Sequence, residues 1–176
     1  ITQGKLTLQL APVELTSLLR RSIEVVDRHI EERGQKLSIT LETEPIYVVG
    51  DTTRLEQAFG NLVNNASKFS PKGGRIDVRV HIDHGEHGAE VVVHIKDKGV
   101  GIDPSTLPHV FDLFRQGAAT SPHHVSGLGV GLALVRRIAE LHGGRVNVSS
   151  AGTDQGSEFV VSLPVLATAD TELTHH

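Results

Sequence analysis

Cysteine and methionine are absent from this chain of 176 residues, and aromatic residues make up only 3% of it. Without cysteine there are no disulfides, no thiol catalysis and no thiolate metal sites, which fits a reducing compartment. With so few aromatics, the core must be built from Val, Leu, Ile and Ala. No run approaches the roughly 18 apolar residues of a membrane span, and no segment has the pattern of a signal peptide. A strong charge of either sign is also missing. The formal net charge of −4 gives no push toward nucleic acid or an anionic membrane. Any site for a polyanion must therefore gather its positive field locally. The length suits one domain with a real core. The chain opens on Ile1 and lacks methionine, which reads as a piece of a longer protein.

Apolar periodicity supplies the elements. Leu15, Leu19, Ile23, Val26 and Ile30 recur at helical steps and predict a helix ending near Gly34. Leu37, Ile39 and Leu41 alternate as a strand. A short strand, Tyr47 to Val49, precedes a second helix for which Asp51 is the expected N-cap. After a turn at Lys72-Gly73-Gly74, Ile76, Val78, Val80 and Ile82 alternate as a strand. A turn at His84 to Gly88 joins it to the Val91 strand as a hairpin. Leu128 to His142 reads as a helix stopped by Gly143 and Gly144. Val146 and Val148, then Phe159, Val161 and Leu163, give two closing strands. Strand pairs joined by short turns imply a mixed, largely antiparallel sheet with helices on one face.

Three segments carry chemistry. In the second helix, at roughly 100° per residue, Arg54, Gln57, Asn61, Asn65 and Lys68 fall within roughly 40° of one line. Leu55, Ala58, Phe59, Leu62, Ala66 and Phe69 form an apolar stripe beside it, and Glu56, Gly60 and Ser67 fall toward a third face. A plain amphipathic helix needs only two faces. Two Asn one turn apart can present neutral oxygens to a hard cation, and Lys68 can meet phosphate. Next, alternation places Asp97 on the side of Val91, Val93 and Ile95, pointing inward. An inward carboxylate needs donors, and an adenine amino group is a suitable one. Gly99 and Gly101 permit close backbone approach to a flat ring. Last, Ser126-Gly-Leu-Gly-Val-Gly131-Leu132 leads directly into a helix, where free N–H groups favour anions. Its GxGxG spacing is neither the P-loop nor the dinucleotide pattern.

Together and in this order, these segments resemble the ATP-binding catalytic domain of sensor histidine kinases, in the GHKL group. The asparagine box is similar to Asn61–Phe69, the first glycine box to Asp97–Gly101, and the phenylalanine box to Phe111-Asp-Leu-Phe114-Arg115. The second glycine box is similar to Gly127–Leu132, and a final Gly-x-x-Phe element to Gly156–Phe159. The resemblance runs from about Leu10 to Leu163. It implies a two-layer α/β sandwich with an ATP lid, formed by Arg115 to Ser126 and expected to order on ATP binding. The expected layout is residues 1–10 as the tail of a preceding dimerisation or linker element, 11–164 as the catalytic domain and 165–176 as a C-terminal tail or linker.

The resemblance also implies roles. Asp97 would bind the adenine amine, with Gly99, Gly101, Ile102 and Phe69 around the base. Asn61 and Asn65 would hold Mg²⁺, Asn65 most directly, and Lys68 would contact phosphate. Gly127, Gly129 and Gly131 would cradle the phosphates, with Leu128, Val130 and Leu132 also among the cofactor-binding residues. Phe111 and Phe114 would anchor the lid, and Ser157 would line the pocket. Val130 stands where the family often has Leu, Ser157 where Thr is common and Phe69 where Tyr is common. Hydrolytic members such as DNA gyrase carry a Glu four residues before the Mg²⁺-binding Asn, and here that place is Asn61. An amide cannot take a proton from water, so phosphoryl transfer is favoured over hydrolysis. Asn61, Asn65 and Lys68 are thus the expected catalytic group, acting on Mg·ATP by positioning and charge neutralisation. The implied partners are a histidine-bearing dimerisation domain of the full-length protein and a response regulator receiver domain, with no nucleic acid or membrane contact. The isolated chain is expected to be monomeric, cytoplasmic and unable to autophosphorylate. The other readings are a GHKL ATPase and a non-catalytic nucleotide-binding or docking module.

The histidines fall outside these motifs. His81-Ile-Asp-His84-Gly-Glu86-His87 is read as a solvated turn rather than a metal site. His29 lies inside the first helix and lacks the proline of a phosphoacceptor box. His123 and His124 sit in the lid without an assigned role. Asp112 and Arg115 flank the lid and read as a surface ion pair, with Arg115 reaching phosphate as the alternative.

Overall fold

The computed structural model describes residues 7–41, 45–112 and 128–166, with the backbone alone described for 128–130. The first apolar stripe becomes helix α1, Leu15–Glu32, burying Leu15, Leu18, Leu19, Ile23, Val26 and Ile30. Its N-cap is Glu14, an unusual choice. The carboxylate accepts from the N–H groups of Thr16 (3.2 Å) and Ser17 (2.7 Å) and from the Thr16 hydroxyl. Burial works against the Glu14 charge, but the bonds from Ser17 and Thr16 outweigh it and leave the carboxyl below its ordinary pKa. The helix closes at Gly34, whose φ of 62° lets the chain reverse.

Strand β2, Lys36–Thr40, is followed by β3, Tyr47–Gly50, and by helix α2, Thr52–Phe69, capped by Asp51 as expected. Strands β4, Arg75–Gly85, and β5, Gly88–Asp97, form the anticipated hairpin. A single 3₁₀ turn, Leu107–His109, precedes helix α3, Leu128–Leu141. Strands β6, Arg145–Ser149, and β7, Ser157–Pro164, complete the chain. Five strands form one sheet in the order β2-β4-β5-β7-β6, with β2 parallel to β4 and every other pair antiparallel.

Alternation then decides what the sheet covers. Ile76, Val78 and Val80 of β4, Val91, Val93 and Ile95 of β5, and Phe159, Val161 and Leu163 of β7 turn one way and are buried. The three helices lie on that face. Helix α2 sits in the middle, packed against α1, α3 and β5. Phe59 and Leu62 on its inner side are fully buried. Each such side chain contributes about 1.5–3 kcal/mol through burial.

One strand was not anticipated. Residues Ala11–Glu14 form strand β1, which pairs antiparallel with β3 in a separate two-stranded sheet. It is four residues long and contains Pro12, which masks its pattern. Val13 and Val48 pair across it, both buried. No helix among the described residues is long and apolar enough to cross a membrane.

Candidate functional site

The start of α2 is fixed from three sides. The Asp51 carboxylate accepts from the N–H groups of Arg54 (3.1 Å) and Gln9 (2.9 Å), and its own N–H donates to His142 Nε2 (3.0 Å). The Gln9 and Arg54 bonds hold the Asp51 carboxyl below the ordinary range. His142 follows α3, and its Nδ1 lies 2.7 Å from the Ile138 carbonyl. With Nδ1 protonated, one imidazole therefore ties the end of α3 to the start of α2.

The three faces of α2 resolve into three neighbours. The apolar stripe enters the core. The face of Glu56, Gly60 and Ser67 meets its surroundings on the α1 and β2 side: Glu56 pairs with Arg21 (2.8 Å), and Gly60 lies near the Ser22 carbonyl. Ser67 donates to Gln35 Oε1 (2.6 Å). The remaining stripe carries Asn61 and Asn65, both half-buried, and exposed Lys68. Among the described residues neither Asn side chain has a hydrogen-bond partner. A Cβ placed on Gly131 would lie 3.8 Å from Asn61 Nδ2, so the first turns of α3 abut the asparagine stripe.

At the other end of α2, the Phe69 carbonyl accepts from Val100 N–H (3.0 Å). This joins the helix to the segment after β5. Asp97, the last residue of β5, is 3% exposed. Its Oδ1 accepts from Gly99 N–H (2.9 Å) and its Oδ2 from the Ser157 hydroxyl (2.8 Å). Burial raises its pKa, and the Gly99 and Ser157 bonds only partly oppose the rise. An ionised carboxylate has about four lone-pair positions, so acceptor capacity remains. The glycines here are sterically forced. A Cβ on Gly99 would lie 1.9 Å from the Phe69 carbonyl oxygen, and one on Gly101, with φ of 70°, would lie 2.0 Å from the Gly152 carbonyl oxygen. The loop is stitched to residues 150–156 by Asp154 N–H to Val100 O (2.7 Å), Gly156 N–H to Gly99 O (3.1 Å) and Ile102 N–H to Ser150 Oγ (3.0 Å).

The structure thus brings Asn61, Asn65, Lys68 and Phe69 onto one helix, with Asp97, Gly99, Gly101, Ile102 and Ser157 at its C-terminal end and Gly131 against Asn61. Leu132 is buried in the core rather than lining the surface. Leu128, Gly129 and Val130 form the first turn of α3. Phe114, Arg115, His123, His124 and Gly127 lie outside the described residues. Phe111 packs edge-on against Phe159, ring centroids 6.0 Å apart. Asp112 faces His109 Nδ1 (3.0 Å). Three supporting residues had no motif to announce them: Gln35, His142 and Ser150. Gln35 is the most central, since its Nε2 caps the end of α2 through the carbonyls of Ser67 (2.9 Å), Ser70 (3.3 Å) and Pro71 (3.2 Å).

Residues 50–167 match the family described as Histidine kinase-, DNA gyrase B-, and HSP90-like ATPase. The chain belongs to this family. It is 36% identical over 171 residues to the autoinducer 2 sensor kinase/phosphatase LuxQ of Vibrio parahaemolyticus, covering 94% of this chain and 19% of that protein. It is 32% identical over 155 residues to the sensor protein KdpD of Clostridium acetobutylicum, covering 83% of this chain and 17% of that one. Among solved structures, the mycobacterial sensor histidine kinase MprB superposes with a TM-score of 0.75 at 34% identity, covering 88% of this chain and 98% of that one. The fold and the relatives are those of the ATP-binding catalytic domain of a two-component sensor histidine kinase. The chain spans under a fifth of the length of these two curated relatives.

Proposed function

We propose that this domain binds Mg·ATP and presents the γ-phosphoryl group to a histidine on a dimerisation domain outside this chain, from which a response regulator receiver domain takes it onward. Residues 11–164 form the catalytic unit in this reading, working on the cytoplasmic side. The observation that carries it is Asp97, a buried carboxylate fixed by two donors, with acceptor capacity left and a backbone beside it that no side chain can crowd. Asp97 accepts from the adenine amine, Ser157 and Gly99 orient its carboxylate, and Phe69 and Ile102 flank the base.

The amides of Asn61 and Asn65 are half-buried on one helical stripe and, among the described residues, have no hydrogen-bond partner. They offer the neutral oxygens that suit Mg²⁺ among phosphates. Bound there, the ion would neutralise charge on the phosphate oxygens. Lys68 adds a positive charge one turn on, and the first turn of α3 from Leu128, with Gly127, Gly129 and Gly131, offers N–H groups to the phosphates. Asn61 holds no basic oxygen for activating water, whereas an imidazole acceptor is already a nucleophile.

Calorimetry of the chain with ATP, with and without Mg²⁺, followed by an assay for ADP release, tests the proposal. Mg²⁺-sensitive binding with negligible turnover, and phosphotransfer once a histidine-bearing dimerisation domain is added, is the expected result. Steady hydrolysis would favour the ATPase reading, and absence of binding a docking module.

A further inference from the structure

The sheet face turned away from the helices carries a second cluster. His81 of β4 and His94 of β5 are diagonal neighbours, since the register pairs His81 with Val92 and Arg79 with His94. Diagonal side chains of this length can meet. The two rings stack at 24° with centroids 5.0 Å apart, and their Nε2 atoms are 2.9 Å apart. Glu158 of β7 stands on the far side of His94, its Oε1 3.6 Å from His94 Nδ1. That separation is beyond hydrogen-bond reach, and Nδ1 is buried without a hydrogen-bond partner. A carboxylate at this position favours a proton on Nδ1, which leaves Nε2 of His94 with its lone pair free. His81 then donates from its own Nε2 in the metal-free protein. A shift of that proton to His81 Nδ1 frees the second lone pair at no net change in charge.

We propose that His81 and His94 form a binding site for a divalent transition-metal cation, copper(II) most tightly and nickel(II) next, with Glu158 orienting His94 from behind. Ligand type sets the preference, since affinity for imidazole nitrogens rises along the divalent series through nickel(II) to copper(II) and drops at zinc. The 2.9 Å contact is a hydrogen bond in the metal-free protein, which a bound ion would replace as the two rings turn to face it. A carboxylate behind a ligating imidazole fixes its tautomer and raises its basicity. Among the described residues no third His, Cys, Asp or Glu converges with these to make a larger cluster, so solvent completes the coordination. Arg79 and Lys96, both exposed, are the neighbouring cations and Glu158 the neighbouring anion. His84 and His87 sit exposed at the hairpin tip and take no part.

The test is copper(II) added below stoichiometry to the ¹⁵N-labelled chain, read as paramagnetic broadening of amide signals. Broadening centred on residues 80–82 and 93–95 is the expected result. Broadening centred on His84–His87, or on His175 and His176, overturns the proposal. The electron paramagnetic resonance spectrum should show coupling to two imidazole nitrogens, falling to one or none in His81→Gln and in His94→Gln. Unchanged coupling in the double variant also overturns it. Glu158→Gln should weaken copper binding by about tenfold to a hundredfold while keeping both nitrogens. Equal affinity would remove Glu158 from the site.

Discussion

The two glycine-bearing segments look alike in sequence and differ in physical cause. Around Asp97, Gly99 and Gly101 are locked between backbones, and a Cβ on either would fall about 2 Å from a carbonyl oxygen. In α3, Gly131 has room among the described residues: a Cβ would meet Asn61 Nδ2 at an ordinary 3.8 Å. The first pair is required by the fold itself. Gly131 is not, and glycine inside a helix is less stable than alanine. Its presence points to something the helix must leave space for, which in the proposed function is a phosphate group.

Substitution sharpens the contrast. Gly101→Ala combines a φ of 70° with a backbone clash and should lower stability by about 2–4 kcal/mol in urea unfolding; full stability would mean that the 150–156 loop yields freely. Asp97→Asn should reduce ATP affinity by roughly tenfold to a hundredfold, the range of a hydrogen bond to a charged group, without loss of stability. Normal affinity by calorimetry would refute the adenine assignment. Gly131→Ala should leave stability equal or raise it by up to about 1 kcal/mol while weakening ATP binding, the opposite sign of change from Gly101→Ala. Asp51→Ala should cost about 1 kcal/mol, as for a lost N-cap.

Acid separates the two buried aspartates. Asp51 titrates below the ordinary carboxylate value in the fold, so it stabilises at neutral pH and loses that contribution as pH falls through its lowered pKa. Asp97 titrates above the ordinary value. Its ionisation therefore weakens the fold as pH rises through the window between the unfolded and the raised folded value. ATP affinity should fall as pH drops into that same window, measured by calorimetry over a pH series. A flat profile would mean that Asp97 keeps its charge there.

What could be read from the sequence depended on range. The asparagine helix, the Asp51 cap and the inward turn of Asp97 follow from periods of 3.6 and 2, which are local. The meaning of the third face of α2 was hidden, because Glu56, Gly60 and Ser67 are explained by Arg21, Ser22 and Gln35 on other elements. His81 reads as part of a solvated turn because His84 and His87 follow it. Strand β4 in fact continues to Gly85, and only the β4–β5 register brings His81 to His94. Strand β1 is legible only through its partner β3.

Both flanks of the described chain arrive at the same junction. Gln9 N–H is held by the Asp51 carboxylate, and Leu166 N–H by the Tyr47 carbonyl (2.8 Å), so entry and exit are both fastened to β3 and the first residue of the α2 cap. Tension or torsion along either flank is thus delivered beside the start of α2, whose middle and later turns carry Asn61 and Asn65. The helix bearing the asparagines is also the mechanical root of the domain.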